Sequence, residues 1–368
     1  MSDSRKESEE KMAKAIFISC DGWLAVFDLL PPSQLGLGIA FVSHRFDAMV
    51  DEHFKTRKWA LKFLRIRRKI GENDTNEMEI ANYDGKPMPI PNIQLPRKLI
   101  DFKCIKITFI DRNVIAFLHR FRPLFASSRI YLSIYLKSDR VLELLRNILP
   151  IIGKNIYGME LMTEPFQRLR QIVPSLFFTE CPSLRFVFPT FDDLFAEFPA
   201  DDSAVASRGQ VLAKWLFTPH PDNVPKVFKC AVDQFVEGKN VPLSIEGSNL
   251  PLKIAAFKTA FANASAPASF IVVICCIRST FANSVVPFEQ TNELTREQLA
   301  LKRTKFRECF LLVRSPIARD ANKWAKWEKE AINWQIIDQW NKIDIEIDAD
   351  GIGDGLLDAT PGPSDQQK

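Results

Sequence analysis

Histidine is scarce in this chain: His44, His53, His119 and His220 are the only four among 368 residues. None stands at the spacing of a serine hydrolase, a cysteine protease or a zinc motif, so the commonest proton-transfer and metal-dependent chemistries have no carrier. The seven cysteines, Cys20, Cys104, Cys181, Cys230, Cys275, Cys276 and Cys309, include no C-x-x-C pair. Most lie in apolar stretches, where a free cysteine behaves as a small hydrophobe. Long apolar runs are missing as well. The longest, residues 270–277, has eight residues and is too short to cross a bilayer, so it reads as a buried strand and no membrane partner is expected. The charged start, Met1 to Lys11, lacks the apolar core of a secretion signal, which predicts a cytoplasmic or nuclear protein. Without a secretory route the glycosylation patterns at residues 73–75 and 263–265 carry no meaning. A phosphate-gripping loop is absent too: Gly351-Ile352-Gly353-Asp354-Gly355 has no lysine and follows acids. No enzyme and no cofactor is expected.

What is present fits an ordinary globular chain of two or three domains, with 46% apolar residues and a net charge of +4. The charge is unevenly placed. Residues 55–70 hold eight Lys or Arg and no acid, whereas residues 343–368 hold seven acids against one Lys. In the basic run Trp59, Phe63, Ile66 and Ile70 recur at helical spacing while Lys58, Lys62, Arg65 and Lys69 cover another face, which predicts a basic linking helix. Tyr83 to Pro91 then reads as a turn and a proline-stiffened linker, closing a connecting region at 61–100.

From residue 101 strand and helix periods alternate. Ile105, Ile107 and Phe109 step by two, and Val114, Leu118, Phe121 and Phe125 then follow a helical face behind Asp111. The pattern repeats with a strand at 130–136, a helix holding Val141, Leu145 and Ile148, a strand at 157–161, a helix at 166–173 and a strand at 184–188. Strand centres near 106, 132, 159 and 186 are about 26 residues apart, inside the leucine-rich-repeat range although its consensus is absent. Residues 101–280 are therefore expected to form a degenerate, leucine-rich-repeat-like α/β stack, continued by a helix with Val211, Leu212, Trp215 and Leu216 and one with Ile254, Phe257 and Phe261. Residues 281–342 predict strands near 288–290, 299–302 and 310–314, then a long helix over 318–341 with Trp324, Trp327 and Trp334 on one seam. Such a seam suits packing on the sheet, or a recognition groove lined by Trp334 or Trp340. Residues 1–14 and the acidic tail 343–368 are expected to be disordered. Within that tail Glu346, Asp348, Asp350, Gly351 and Asp354 alternate like a calcium loop, but the twelfth position is Leu357 rather than glutamate.

Residues 15–60 remain. Ser19 or Asp21 can open a helix with Trp23, Leu24, Phe27 and Leu30 on one face, stopped by Pro31-Pro32. Ser33 can cap a second segment with Leu35, Ile39 and Val42, and Phe46, Met49, Val50 and His53 continue the period. So many large apolar residues in so short a stretch exceed what three short helices hide among themselves, although a self-contained helical subdomain is the simpler reading of the same pattern. This order and spacing resemble the F-box, with Leu24, Phe27 and Leu30 before the double proline, Leu35 after it, and Val42-Ser43 followed by Phe46. Phe46-Asp47, Val50 to Lys55, Ile90-Pro91, Ala213 to Leu216, Leu312 to Arg314 and Ala325 to Glu330 extend the likeness to the nematode-type F-box-like proteins nearly end to end.

The resemblance implies a non-catalytic substrate receptor. Its helical module would dock on a Skp-type adaptor, and through it a cullin, using Ile18, Trp23, Leu24, Phe27, Leu30, Leu35, Val42 and Phe46, while the α/β region holds an unidentified protein substrate. The rival reading is a leucine-rich-repeat-like interaction scaffold with no ligase role. Nucleic-acid binding through residues 55–70 is the least favoured alternative.

Overall fold

The computed structural model describes residues 18–30, 32–55, 59–68, 78–82, 88–89, 99–136, 140–163, 178, 180–189, 195–203, 205–231, 250–275, 285–305, 309–333, 340–348 and 351–353. The chain divides into two compact units, residues 1–60 with 93–100, and residues 61–92 with 101–368.

The first unit is helical. Helix α1 (Cys20–Phe27) opens where the Ser19 hydroxyl accepts the Gly22 N–H at 3.1 Å, with Asp21 in its first turn to complement the helix dipole. Helix α2 (Pro32–Leu37) begins on a proline, whose fixed φ suits the first helical position, so Ser33 falls inside the first turn instead of capping it. Helix α3 (His44–His53) is capped by Ser43, which accepts the Phe46 N–H at 3.3 Å. Between α1 and α3 the rings interlock: Phe27 lies 6.3 Å from Trp23, 6.4 Å from Phe46 and 5.9 Å from His53, and Trp23 meets Phe46 edge-on at 4.9 Å. Aromatic pairs in such tilted and edge-on arrangements add about 0.5–1.5 kcal/mol each beyond their burial. That interior holds three helices too short to persist alone.

The second unit is mixed α/β, built on a thirteen-stranded sheet. Its strands are β1 (Trp59–Arg68), β2 (Met78–Asn82), β3 (Met88–Pro89), β4 (Leu99–Ile107), β5 (Ile130–Leu136), β6 (Ile156–Thr163), β7 (Phe186–Pro189), β8 (Lys226–Ala231), β9 (Phe270–Cys275), β10 (Phe288–Asn292), β11 (Glu297–Arg303), β12 (Cys309–Pro316) and β13 (Asn341–Ile347). In space the order is β10-β11-β12-β9-β8-β7-β6-β5-β13-β4-β1-β2-β3. The seven strands from β4 to β9 in that order, β13 among them, run parallel, and both ends of the sheet continue as antiparallel pairs. Helices α4 (Arg112–Ser127), α5 (Arg140–Ile152), α6 (Arg208–Phe217) and α7 (Leu250–Ala262) lie in the connections between successive parallel strands, and α8 (Ala321–Ile332) in the connection from β12 to β13. With α1–α3 this makes eight α-helices among the described residues.

The helices follow from the predicted periods. Asp111 accepts the Val114 N–H at 2.9 Å and starts α4, whose buried stripe is Val114, Phe117, Leu118, Phe121, Leu124 and Phe125. A full capping box between Ser207 and Gln210 starts α6. Phe217 and Phe257 meet Phe270 on one face of β9, at 5.4 and 5.9 Å. The alternate residues Ile271 and Val273 face the other way and pack with Trp324 and Ala331 of α8, so β9 is covered on both sides.

Three expectations are corrected. Residues 59–68, expected as a basic helix, form β1: Leu64 and Ile66 are buried and Arg65 and Arg67 exposed, a period of two, and Leu64 to Arg68 pair with Asn82 to Met78. The tail expected to be disordered from 343 contains β13, with Ile343, Ile345 and Ile347 buried between β4 and β5. The Asp101 carboxylate accepts Asn341 Nδ2 and, at 3.2 Å, the Ser128 hydroxyl, pinning the start of β13. Beyond it Ile110 and Gly351 to Gly353 exchange backbone hydrogen bonds of 2.8 and 2.9 Å, and a Cβ at Gly353 would lie 2.7 Å from Asp111 Cβ, a close approach that only glycine permits. The third correction concerns the repeat stack. Strands β4 to β9 do keep chain order, but a strand from the far end of the chain separates β4 from β5, which a stack of units meeting only their neighbours does not provide.

The long helix expected over 318–341 spans 321–332, and Trp334 and the helix expected at 166–173 fall outside the described residues. Trp340 packs on the sheet, 5.2 Å from both Tyr157 and Phe186. A Cβ at Gly158 would stand 2.7 Å from the Trp340 ring and 2.9 Å from Tyr131. Gly158→Ala is therefore expected to lose about 1–3 kcal/mol through overpacking, read as a lower midpoint in urea unfolding.

Candidate functional site

The residues expected to grip a partner divide by burial. Phe27 and Leu35 are buried, Ile18, Trp23, Leu24, Leu30 and Phe46 are half-buried, and Val42 is exposed at 66%. Phe27 thus belongs to the helical unit's own interior, and a partner meeting this surface would not touch it or Leu35. The face-counting that selected Phe27 selects an inward stripe by construction. It passed over two residues left in water at the other side of α1: Leu29, 84% exposed, and Val26, 38% exposed. These stand one turn apart, joined by the Leu29 N–H donating to the Val26 carbonyl at 3.1 Å. Adjacent Leu29 and Leu30 are the sequence signal, because one turn cannot turn both side chains inward. The exposed side chains of Asp21, Asp28, Asp47 and Arg45 give this unit a charged fringe. His53 Nε2 lies 3.8 Å from the Asp28 carboxylate, where the end of α3 comes beside the end of α1.

No known protein family, curated protein or solved structure matches the chain. Function is therefore read from the residues themselves.

The basic and acidic runs meet. Arg65 and Arg67 of β1, Lys106 and Thr108 at the end of β4, and Glu346 and Asp348 at the end of β13 line one shallow pocket of about 240 Å³. There Lys106 Nζ lies 2.6 Å from the Glu346 carboxylate. Two of the carboxylates that imitate a calcium loop, Glu346 and Asp348, thus share a pocket with cations, Arg65 and Arg67 of the basic run among them; Asp350 and Asp354 lie outside the described residues. Among the described residues no three His, Cys, Asp or Glu side chains are placed to share a metal ion, and no helix is long and apolar enough to cross a membrane.

His220 is a structural clip. Its Nδ1 accepts the Asp222 N–H at 3.1 Å and its Nε2 reaches the Ser183 carbonyl at 3.2 Å, which holds the neutral tautomer; burial pushes its pKa below the ordinary imidazole value.

A second candidate lies in the sheet unit, where an open cleft of about 1040 Å³ separates the outer half of α8 from β8, β9 and β12 near the carboxyl end of β9. Val273, Leu311 and Ile332 give it an apolar floor. Cys275 and Cys309 face each other across β9 and β12, the Cys309 thiol donating to Cys275 Sγ at 3.0 Å. That contact and burial push the Cys275 thiol far above its usual range, so it stays neutral. Sequence reading did not find this cleft, whose walls are contributed by five separate elements.

Proposed function

We propose that this chain is a nematode-type F-box-like protein acting as the substrate receptor of a Skp-cullin-F-box ubiquitin ligase. Its helical unit docks on the Skp-type adaptor, and the α/β unit, with its large, mostly parallel sheet, holds a protein substrate. One observation above others supports this reading. The rings of α1 and α3 interlock within a compact unit, yet Val26, Leu29 and Val42 stay in solvent, apolar surface that a partner would cover. The chain itself makes and breaks no bond. Tethering a substrate beside a ubiquitin-loaded enzyme raises its effective concentration, and transfer becomes quasi-intramolecular.

The test is capture of the full chain by purified Skp-type adaptor, comparing the native protein with Leu29→Asp plus Val42→Asp. Both positions are exposed, so the variant keeps the Phe27 interior and should retain native circular dichroism. Losing one anchor typically costs ~2 kcal/mol, about thirtyfold in Kd, and the paired variant is expected to lose at least that much. A native chain that fails to bind the adaptor at micromolar concentration overturns the ligase reading and leaves the interaction scaffold. Equal binding by native and variant chains moves the contact away from this surface.

A further inference from the structure

We propose that the cleft between α8 and strands β8, β9 and β12 binds a small single-chain amphiphile with an anionic head group. The inference is independent of the helical unit and of adaptor binding.

Charge indicates the head. Among the described residues five cationic side chains line the cleft, Lys229, Lys302, Arg303, Lys305 and Lys329, against one carboxylate, Glu328. That carboxylate is engaged by Lys302 Nζ. Lys305 and Lys329 are exposed at the mouth, where an anion meets a positive field focused by low-dielectric walls. The floor indicates the body. Val273, Leu311 and Ile332, with the neutral Cys275 thiol and Cys309 beside it, present apolar surface, and the volume is at the upper end of the range for small-molecule sites, roughly 300–1,000 Å³.

The strand pairing decides between a lipid-like molecule and a peptide. β9 is hydrogen-bonded on both sides, to β8 and β12, and β12 to β9 and β11. Among the described residues neither β9 nor β12, the two strands of the floor, has an open edge there. An extended peptide laid there would bury N–H and C=O groups with no backbone partner, the reverse of strand addition, in which main-chain hydrogen bonds supply the affinity. An alkyl chain carries no such groups. It needs only an apolar floor and one charged contact at the mouth.

Isothermal titration of the full chain tests this with dodecanoate, dodecyl phosphate, dodecanol and a six-residue Glu/Leu peptide as probes. Dodecanoate or dodecyl phosphate is expected to bind at least tenfold more tightly than dodecanol; whichever of the two is tighter identifies the head, and either supports the proposal. Lys305→Glu with Lys329→Glu is expected to weaken that binding at least tenfold. The same charge change at Lys214→Glu with Lys258→Glu, exposed positions on α6 and α7, should leave it unchanged. Ala325→Trp, which fills the cleft from α8, should abolish it. The proposal is overturned if neither anionic probe binds, if dodecanol binds as well as they do, if the mouth variant binds as the native chain does, or if the peptide binds more tightly than the amphiphiles.

Discussion

Arg314→Met is expected to lower the unfolding free energy of the sheet unit by about 3–5 kcal/mol, the cost of stripping one partner from a buried ion pair. Arg314 and Glu297 are both fully buried on paired strands β12 and β11. Arg314 Nε and Nη2 donate to one Glu297 oxygen at 3.0 and 2.6 Å, and Nη2 also donates to the Ala266 carbonyl at 2.7 Å. The other Glu297 oxygen accepts the Ala268 N–H at 2.9 Å. Above the guanidinium lie the rings of Phe217 and Phe261, at 4.9 and 5.3 Å. The pair thus staples the loop before β9 to the antiparallel end of the sheet and seats α6 and α7 on it. Methionine fills much of the arginine volume but leaves Glu297 charged in a medium that cannot solvate it. The double variant Glu297→Gln with Arg314→Met removes both charges, and Gln still accepts the Ala268 N–H. It should lose less than half of what the single variant loses. Urea unfolding followed by near-UV circular dichroism gives the comparison; losses that simply add would refute a charge-pairing origin.

None of that pair was legible, because Glu297 sits in ordinary polar company, Arg314 stands at the end of an apolar run, and only the antiparallel register brings them together. Local patterns served better. The Ile105 and Ile107 alternation followed by Asp111 and a helical stripe located β4 and α4, and the apolar run 270–277 reads as a buried strand, which holds for Phe270 to Ile274. Failure came where two periods fitted the same letters. In residues 59–70 Trp59, Phe63, Ile66 and Ile70 suit a helix while Leu64 and Ile66 suit a strand, and pairing with β2 settled the choice. For β13 the alternation of Ile343, Ile345 and Ile347 was present, but the surrounding acids argued for a solvated tail. Its parallel neighbours are separated from it by some two hundred residues, so the stabilising contacts are invisible to any local window. The cleft was hidden for the same reason: its cations arrive from β8, from the end of β11 and from α8.

Lys226→Met is expected to make stability nearly independent of pH between 7 and 9, where the native chain gains about 2 kcal/mol. Lys226 is buried, its Nζ donating to the Trp215 carbonyl at 2.6 Å and lying 5.0 Å from the centre of the Trp215 ring. Burial pushes its ammonium down from 10.5 to about 7. In the unfolded chain the amine keeps its proton up to the higher value; in the fold it has released it above the lower one. Between the two, unfolding takes up a proton, so stability rises with pH, by at most about 1.4 kcal/mol per pH unit. Below pH 7 both states are protonated, and the full cost of holding a buried ammonium is present. Cys181 acts in the opposite sense: burial pushes its thiol up to about 12 from 9.0, so the unfolded chain loses that proton first and stability falls as pH climbs past 9. Measurements from pH 7 to 9, taken as the difference between native and Lys226→Met chains, isolate the lysine. The variant leaves no orphaned acceptor, since the Thr218 N–H also donates to the Trp215 carbonyl, at 3.3 Å. Removing the buried charge should therefore make Lys226→Met the more stable protein at pH 7, with the advantage shrinking toward pH 9. Parallel stability curves for the two chains would show that the amine keeps its ordinary affinity for protons inside the fold, held charged by the carbonyl and ring of Trp215.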